Sequence, residues 1–331
     1  WVKESPVKAI VYRKFGLSDV LHMEDVDKPV PKDNEVLVSV HAASINDWDW
    51  GLLRGKPFVN RLPKVLKPKH MILGCDVAGK VEAVGSGVTQ FQQGDEVFGD
   101  LSGSGFGGFA EYVCAHENAL SLKPASMTFE QAASVPQASA LAMQGLRNKK
   151  QIQPGQKVLI NGGGGGAGSF AIQIAKSFGA EVTGVDSARK LDMMRAIGVD
   201  HVIDYAEEDF TKNGQRYDLI NDNAAHHSVF DYRRALNDGG VYGVLGGATS
   251  RIFQVIFLGP IVSLFSSKSL GLVLLKPNKD MDFFIELFEA GKVKPIIDKT
   301  YPLSETSEAF RYFGESQQCG KIVINVKDVD G

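Results

Sequence analysis

The stretch KVLINGGGGGAGSFAIQIAKSFGAEVTGVD, Lys157 to Asp186, decides the fold. It opens on an apolar burst and crosses five consecutive glycines. It then sets Ala171, Ile174, Ala175 and Phe178 on one face at the i, i+3, i+4, i+7 spacing of a helix. A second short apolar run, EVTGV, follows and closes on Asp186. Strand, glycine turn, helix and strand in that order make a βαβ unit, and a flexible linker has no use between a strand and a helix. Within it, Gly163-x-Gly165-x-x-Gly168 permits a tight turn, close approach of backbone to a pyrophosphate, and close packing of helix on strand. The helix start supplies free N–H groups and partial positive charge. Gly163, Gly165, Gly166, Ala167 and Gly168 are therefore the candidate phosphate cradle.

Asp186 lies 18 residues past Gly168, close to the offset of about 20 at which an acid accepts from a ribose 2′-hydroxyl. Yet Ser187, Arg189 and Lys190 stand beside it in DSARK, a hydroxyl and two cations suited to a 2′-phosphate. The two signals oppose each other, and the choice between NADH and NADPH stays open at this level.

Working outward, HVIDY, YDLIND and GGVYGVLGG read as further strands. SARKLDMMRAIG and HHSVFDYRRALND read as helices between them. Alternating strands and helices imply a parallel sheet. Residues before about 122 read differently, as short β runs such as EVLVSVHAASI, VAGKVEAVGSG and QGDEVFGDLSG punctuated by Gly and Asp. After Lys276, KDMDFFIELFEAG reads as a helix stopping at Gly291, and GKIVINV as a strand. The apolar stretch IFQVIFLGPIVSLF, Ile252–Phe265, is shorter than the roughly 20 residues of a spanning helix. Gly259-Pro260 is expected to break it, and a buried segment or subunit contact is the expectation, with a membrane-surface contact as the rival.

The 331 residues suit two domains. With 44% hydrophobic and 23% charged residues the composition is that of a soluble globular protein, and a net charge of −3 gives no footing for nucleic acid. Three scattered cysteines, Cys75, Cys114 and Cys319, make neither a disulfide framework nor a four-cysteine zinc site, and a reduced, cytoplasmic setting is expected. The N-terminus lacks the charged-then-apolar pattern of a signal peptide, and a removed targeting segment stays open because the chain does not start with Met.

The chain resembles the medium-chain dehydrogenase/reductase superfamily over nearly its whole length, and within it the zinc-independent quinone oxidoreductase and enone reductase branch. The stretches that carry the resemblance are ASINDWDWGLLRG, GCDVAGKVEAVGSGVTQFQQGDEVFG, GGFAEYV, GGGGAGSFAIQIAKSFGAEV, GVDHVIDY and PLSETSEAFRYFGESQQCGKIVI. The resemblance implies an α/β protein with two domains. A β-rich GroES-like catalytic domain would span 1–123 and 276–331, and a doubly wound parallel Rossmann domain would span 124–275. The substrate would sit in the cleft between them. It implies a homodimer formed through Rossmann edge strands, with Ser269 to Leu275 as the edge and the 252–265 segment flanking that interface or the pocket. It also implies NADPH over NADH, because Ser187, Lys190 and Tyr205 match the positions that hold a 2′-phosphate, although Asp186 departs from the usual small residue. Asn223, Leu245 and Gly246 match segments facing the nicotinamide half. Leu141 departs from a frequent Thr.

The zinc alcohol dehydrogenases of this superfamily hold their metal with two Cys and one His. Asn46 and Cys75 fall on two of those positions, and no cysteine stands near SVPQASALAMQG for the third. An amide is a poor substitute for a thiolate on zinc, so no metal is expected. Cys75 reads as a small buried residue. His41, His70, His226 and His227 read as structural or exposed, and Asp76 and Asp95 as turn aspartates. Without a Lewis acid to activate an alcohol, an acceptor that is already electrophilic is expected: a quinone or an enone reduced by hydride. Asn46 is the candidate for orienting the substrate carbonyl or cofactor ribose. Asp49 is a weaker candidate that braces the loop, and Trp48 and Trp50 would stack a flat substrate or simply pack. Two other readings compete: a zinc-type alcohol dehydrogenase, and a cofactor-binding protein with little turnover acting in regulation or at a membrane.

Overall fold

The computed structural model describes residues 5–62, 65–147 and 151–327. Among them the strands run, in chain order, β1 (Val7–Val11), β2 (His22–Val26), β3 (Glu35–Ser44), β4 (Asp76–Val84), β5 (Glu96–Asp100), β6 (Tyr112–His116), β7 (Ser121–Leu122), β8 (Lys157–Asn161), β9 (Glu181–Asp186), β10 (His201–Asp204), β11 (Tyr217–Asp222), β12 (Leu236–Val244), β13 (Ser269–Leu272), β14 (Ile297–Pro302) and β15 (Lys321–Asn325). The α-helices are α1 (Asp47–Arg54), α2 (Phe129–Ala133), α3 (Pro136–Arg147), α4 (Gly166–Ser177), α5 (Leu191–Ala196), α6 (Val229–Ala235), α7 (Thr249–Leu264), α8 (Met281–Glu289) and α9 (Thr306–Gly314). The chain divides into two compact units, residues 1–137, 277–281 and 297–331 in one, and 138–276 with 282–296 in the other.

The first unit is built on a sheet of order β14-β15-β3-β4-β5-β7, with β6 also paired to β3. β3 is flanked by β15, β4 and β6, all antiparallel to it. It is covered on both faces, so Leu37 and Ser39 are buried along with Val36, Val38 and Val40, and its apolar alternation in sequence is incomplete for that reason. Helix α9 buries Phe310, whose ring meets Phe109 edge-on at 5.7 Å. Burying a side chain of that size contributes about 2–3 kcal/mol.

The second unit is a parallel sheet of order β10-β9-β8-β11-β12-β13. From β8 the chain winds one way through β9 and β10. It then returns to β11, beside β8, and winds the other way. β8 and β11 therefore flank a topological switch point, where their C-terminal ends leave a crevice for a ligand. Residues 282–296, expected with the β-rich unit, pack on this one: Phe284 of α8 meets Phe170 of α4 at 5.4 Å, and the Gln173 side chain donates to the Lys294 carbonyl at 3.0 Å and accepts its N–H at 3.0 Å. Residues 124–137, expected in the parallel-sheet unit, fall in the first one, because the Gln137 N–H is held by Asp76 of β4.

Helix α7 departs from expectation in two ways. It runs through Pro260 without a break. Ser263 Oγ donates to the Gly259 carbonyl at 2.7 Å, and Gly259 lets the helix sit on β13, where an added Cβ would stand 2.9 Å from the Leu270 carbonyl oxygen. It is also not a buried segment. Val255 and Gly259 are its buried residues, while Phe253, Phe257 and Ile261 are more than half exposed.

Candidate active site

In the second unit, the glycine run turns out of β8 at the switch point. Gly162 adopts φ +75°, a left-handed conformation that favours glycine. An added Cβ on Gly168 would stand 2.1 Å from the Gly162 carbonyl oxygen, and one on Gly163 would stand 2.7 Å from Met194 Sδ. These two glycines are fixed by helix-on-strand packing. Gly165, which caps the N-terminus of the twelve-residue α4, is different: its Cβ would meet nothing nearer than 3.5 Å, so backbone there is open to a ligand. Gly166, Ala167 and Gly168 form the first turn, whose N–H groups lack intrahelical acceptors. The cradle fits a pyrophosphate.

Across the switch point, the Asn223 N–H donates to the Asn161 carbonyl at 3.0 Å, and its side-chain amide donates to Asn221 Oδ1 at 3.0 Å. Leu245 and Gly246 both donate main-chain N–H groups to the Asp222 carbonyl, at 2.8 and 3.3 Å. Beneath them the buried Asp222 carboxylate accepts from Asn161 Nδ2, the Ala224 N–H and the Tyr242 hydroxyl, at 2.7, 3.0 and 2.8 Å. The strand ends expected to face the nicotinamide half are thus tied into one buried network.

Asp186 lies differently from a free ribose acceptor. Its Oδ2 accepts the Gly164 N–H at 2.9 Å and its Oδ1 accepts the Ser187 N–H at 2.8 Å. Lys190 Nζ stands 3.5 Å away, with both side chains about nine-tenths buried. The pair braces the glycine turn, with Gly164 so close that a Cβ would stand 2.6 Å from Lys190 Cβ. Of the other expected 2′-phosphate residues, Ser187 is half-buried, while Arg189 and Tyr205 are exposed.

The first unit holds a buried polar cluster around Asn46, just ahead of α1. Asn46 Nδ2 donates to Asp76 Oδ2 at 2.9 Å and to Cys75 Sγ at 3.2 Å. Its Oδ1 accepts from Lys321 Nζ at 2.5 Å. Lys321 also donates to the Ile45 carbonyl at 3.2 Å and stands 3.6 Å from Asp76 Oδ2. Gln137 donates its N–H to Asp76 and its side-chain amide to Cys75 Sγ. Asp49 accepts the Asn46 N–H at 3.0 Å and the Gly74 N–H at 2.9 Å, which ties the start of α1 to the segment ahead of β4.

Burial sets the protonation of this cluster. It raises Asp76 to about 7, against the opposing pull of Lys321, and Asp49 to about 6, against the main-chain N–H groups of Gly74 and Asn46. Burial, then the charge of Asp49, pushes the Cys75 thiol well above its usual range. Asp76 is therefore no turn aspartate. It begins β4 at full burial, and its partner is Asp100 at the end of β5 rather than Asp95, which accepts the Gln92 N–H in a surface turn.

Cys75, Asp76 and Asp100 bring ligand atoms within 4.8 Å of one another. Their chemistry does not fit a resident zinc. Cys75 is held as a thiol and accepts from two amides, while Asp76 accepts from two N–H donors beside an ammonium. Lys321, Gln137 and Asp100 were not singled out in sequence; the one available signal was a lysine inside the apolar strand KIVIN.

Beside this cluster the first unit opens a pocket of about 250 Å³, lined among others by Tyr12, Phe15, Trp48, Lys69, His70 and Phe106. The two candidate tryptophans separate here. Trp48 lines the pocket, while Trp50 packs on Phe310 and Phe313 of α9. His41 stacks on Phe129 at 4.2 Å, and His226 lies against His227 at 4.0 Å.

Family comparisons agree with this geometry. An alcohol dehydrogenase GroES-like domain profile matches residues 32–125, and a zinc-binding dehydrogenase profile matches residues 197–324. The chain is 34% identical over 332 residues to a 2-methylene-furan-3-one reductase of Solanum lycopersicum, covering 97% of this chain and 79% of that one. It is 34% identical to a chloroplastic NADPH-dependent alkenal/one oxidoreductase of Arabidopsis thaliana, covering 96% and 79%. The solved quinone oxidoreductase from Coxiella burnetii superposes with a TM-score of 0.86 at 30% identity, over 97% of this chain and 99% of that one. No helix among the described residues is long and apolar enough to cross a membrane. The chain belongs to the medium-chain dehydrogenase/reductase superfamily, in its quinone oxidoreductase and enone reductase branch, and is an oxidoreductase.

Proposed function

We propose that this enzyme reduces an α,β-unsaturated carbonyl compound or a quinone with NADPH and without a metal. The observation that carries the reading is the environment of Asn46. Where zinc relatives place a metal ligand, an amide is clamped between Lys321 on its oxygen and Asp76 and Cys75 on its nitrogen. No Lewis acid is supplied by such a donor set, so the acceptor must be electrophilic in its own right. The bound nicotinamide would supply a hydride to the β-carbon of an enone or to a quinone.

The chain's own residues bind and orient. Gly163, Gly165, Gly166, Ala167 and Gly168 cradle the pyrophosphate, while Asn223, Leu245 and Gly246 shape the floor for the nicotinamide half. Asn46 and Asp49 hold the entry to α1 and so place Trp48 against the acceptor. With both ends of its amide engaged, Asn46 acts here as a positioning residue. The proton that completes reduction comes from water.

NADPH is favoured because the Asp186 charge is compensated by Lys190 and directed at the glycine turn. Ser187, Arg189 and Tyr205 are then free to meet a 2′-phosphate. A homodimer through β13 is part of the proposal. β13 is an edge strand, and the apolar outer face of α7 lies on the helix packed against it. A reduced cytoplasm suits Cys75, Cys114 and Cys319, none of which forms a disulfide.

The test is oxidation of NADPH and NADH at 340 nm against quinones, enones and a saturated aldehyde, with metal content measured on the same preparation. Enone or quinone turnover at far less than one zinc per chain is expected. Turnover of the aldehyde alone, or activity that tracks stoichiometric zinc, overturns the reading.

A further inference from the structure

The pocket of the first unit has a one-signed lining. Between Asp49 and Asp76 the sequence carries Arg54, Lys56, Arg61, Lys64, Lys67 and Lys69 and not one acid, in a chain whose net charge is −3. Lys69 reaches the pocket wall, and among the described residues no acid lines it. Lys69 makes no ion pair among the described residues, and its charge, after burial, helps hold the neighbouring His70 below the usual imidazole range. Arg61 lies over the ring of Phe15, a pocket wall, at 5.0 Å, with its Nε donating to the Gly55 carbonyl. Tyr12, Phe15, Trp48, Leu52 and Phe106 give aromatic and aliphatic walls, and Asn60, His70 and Ser102 give polar ones. An exposed cation with no acid paired to it among the described residues, at the rim of a pocket with aromatic and aliphatic walls in an acidic protein, selects for a ligand with an apolar body and an anionic end.

We propose that the acceptor is an anionic amphiphile: an α,β-unsaturated carbonyl compound whose hydrocarbon part fills this pocket and whose carboxylate or phosphate pairs with Lys69. This rests on the enone-reductase reading above. The reaction balances as hydride to the β-carbon and a solvent proton to the α-carbon, giving the saturated carbonyl and NADP⁺, with the anionic group unchanged. Its contribution is to binding and orientation of the acceptor.

The test compares three linear enones with the same reactive end: one ending in a carboxylate several carbons from the alkene, its methyl ester, and the corresponding phosphate monoester. For the unmodified enzyme, kcat/KM for at least one anion is expected to exceed that for the ester about tenfold, and the ratio is expected to shrink as salt screens the pair. Which anion leads identifies the group. Lys69→Gln should bring the ratio near one, and Lys69→Glu below one. Because each ratio is taken within one protein, a loss of folded enzyme cancels. Equal kcat/KM for the ester and both anions overturns the proposal while leaving the reductase reading intact, as does an anion preference that survives Lys69→Gln. No turnover of any enone, simple neutral ones included, removes the reading and the proposal together.

Discussion

Replacing Lys321 with Met tests the polar cluster of the first unit most directly. Lys321 is 3% exposed, donates to Asn46 and Ile45, and is the ammonium within 3.6 Å of Asp76. Removing one partner of a buried pair leaves an uncompensated charge and typically costs about 3–5 kcal/mol. The loss must depend on pH. Burial already holds Asp76 at about 7 in the folded state against an unfolded value of 3.8, so its contribution to stability is fully present below pH 4 and is lost as pH rises through 7. Without the ammonium that window extends upward and the charged form costs more. At pH 8 the variant should lose about 3–5 kcal/mol. At pH 5 Asp76 is protonated, and the loss should fall to the two hydrogen bonds, about 1–3 kcal/mol together.

The assay is urea unfolding followed by tryptophan fluorescence. Trp48 and Trp50 both belong to the first unit, so the signal reports on it. Adding Asp76→Asn to the variant should recover most of the pH 8 loss. Equal losses at pH 5 and pH 8, or no recovery with Asp76→Asn, would refute the account of a carboxylate held by an ammonium.

Gly168→Ala should weaken NADPH at least about tenfold by titration and remove the cofactor's thermal protection, since its Cβ would stand 2.1 Å from the Gly162 carbonyl oxygen. Arg189→Glu should raise KM for NADPH about tenfold and leave NADH nearly unchanged; equal effects on both would place Arg189 away from the 2′ position. Asn46→Ala should lower kcat/KM for enones by about tenfold to a hundredfold with cofactor Kd unchanged, the signature of lost acceptor alignment. Phe257→Glu on the exposed face of α7, 68% exposed in the chain alone, should give a monomer by light scattering, and an unchanged particle mass would move the dimer contact elsewhere.

The glycine turn was legible because its chemistry is local: five glycines between an apolar run and a 3.6-residue period allow little else. Asn46, Asp49 and Cys75 were legible as positions, through resemblance, but their partners were not. Lys321 reaches Asn46 across 275 residues of sequence, a pairing no local pattern announces. Asp76 looked like a turn aspartate because a Gly and a Cys precede it, whereas burial at the head of β4 makes it the centre of a network. Asp186 carries the spacing of a ribose acceptor, and in the fold it accepts the Gly164 N–H of the glycine turn and the N–H of its neighbour Ser187. Gly259-Pro260 reads as a break by propensity, and the packing of α7 on β13 overrides it.

The sheet of the first unit is completed only when β15 pairs with β3, joining Val323, Ile324 and Asn325 to Ser44, Ala43 and Ala42. Between these strands the chain builds the whole parallel-sheet unit. During synthesis, a nascent chain reaching residue 300 has made every strand of the parallel sheet, while Asp76, Asp49 and Asp100 still wait for the Lys321 ammonium. The order of translation therefore lets the parallel-sheet unit mature first and withholds the buried polar cluster of the first unit until β15 has left the ribosome.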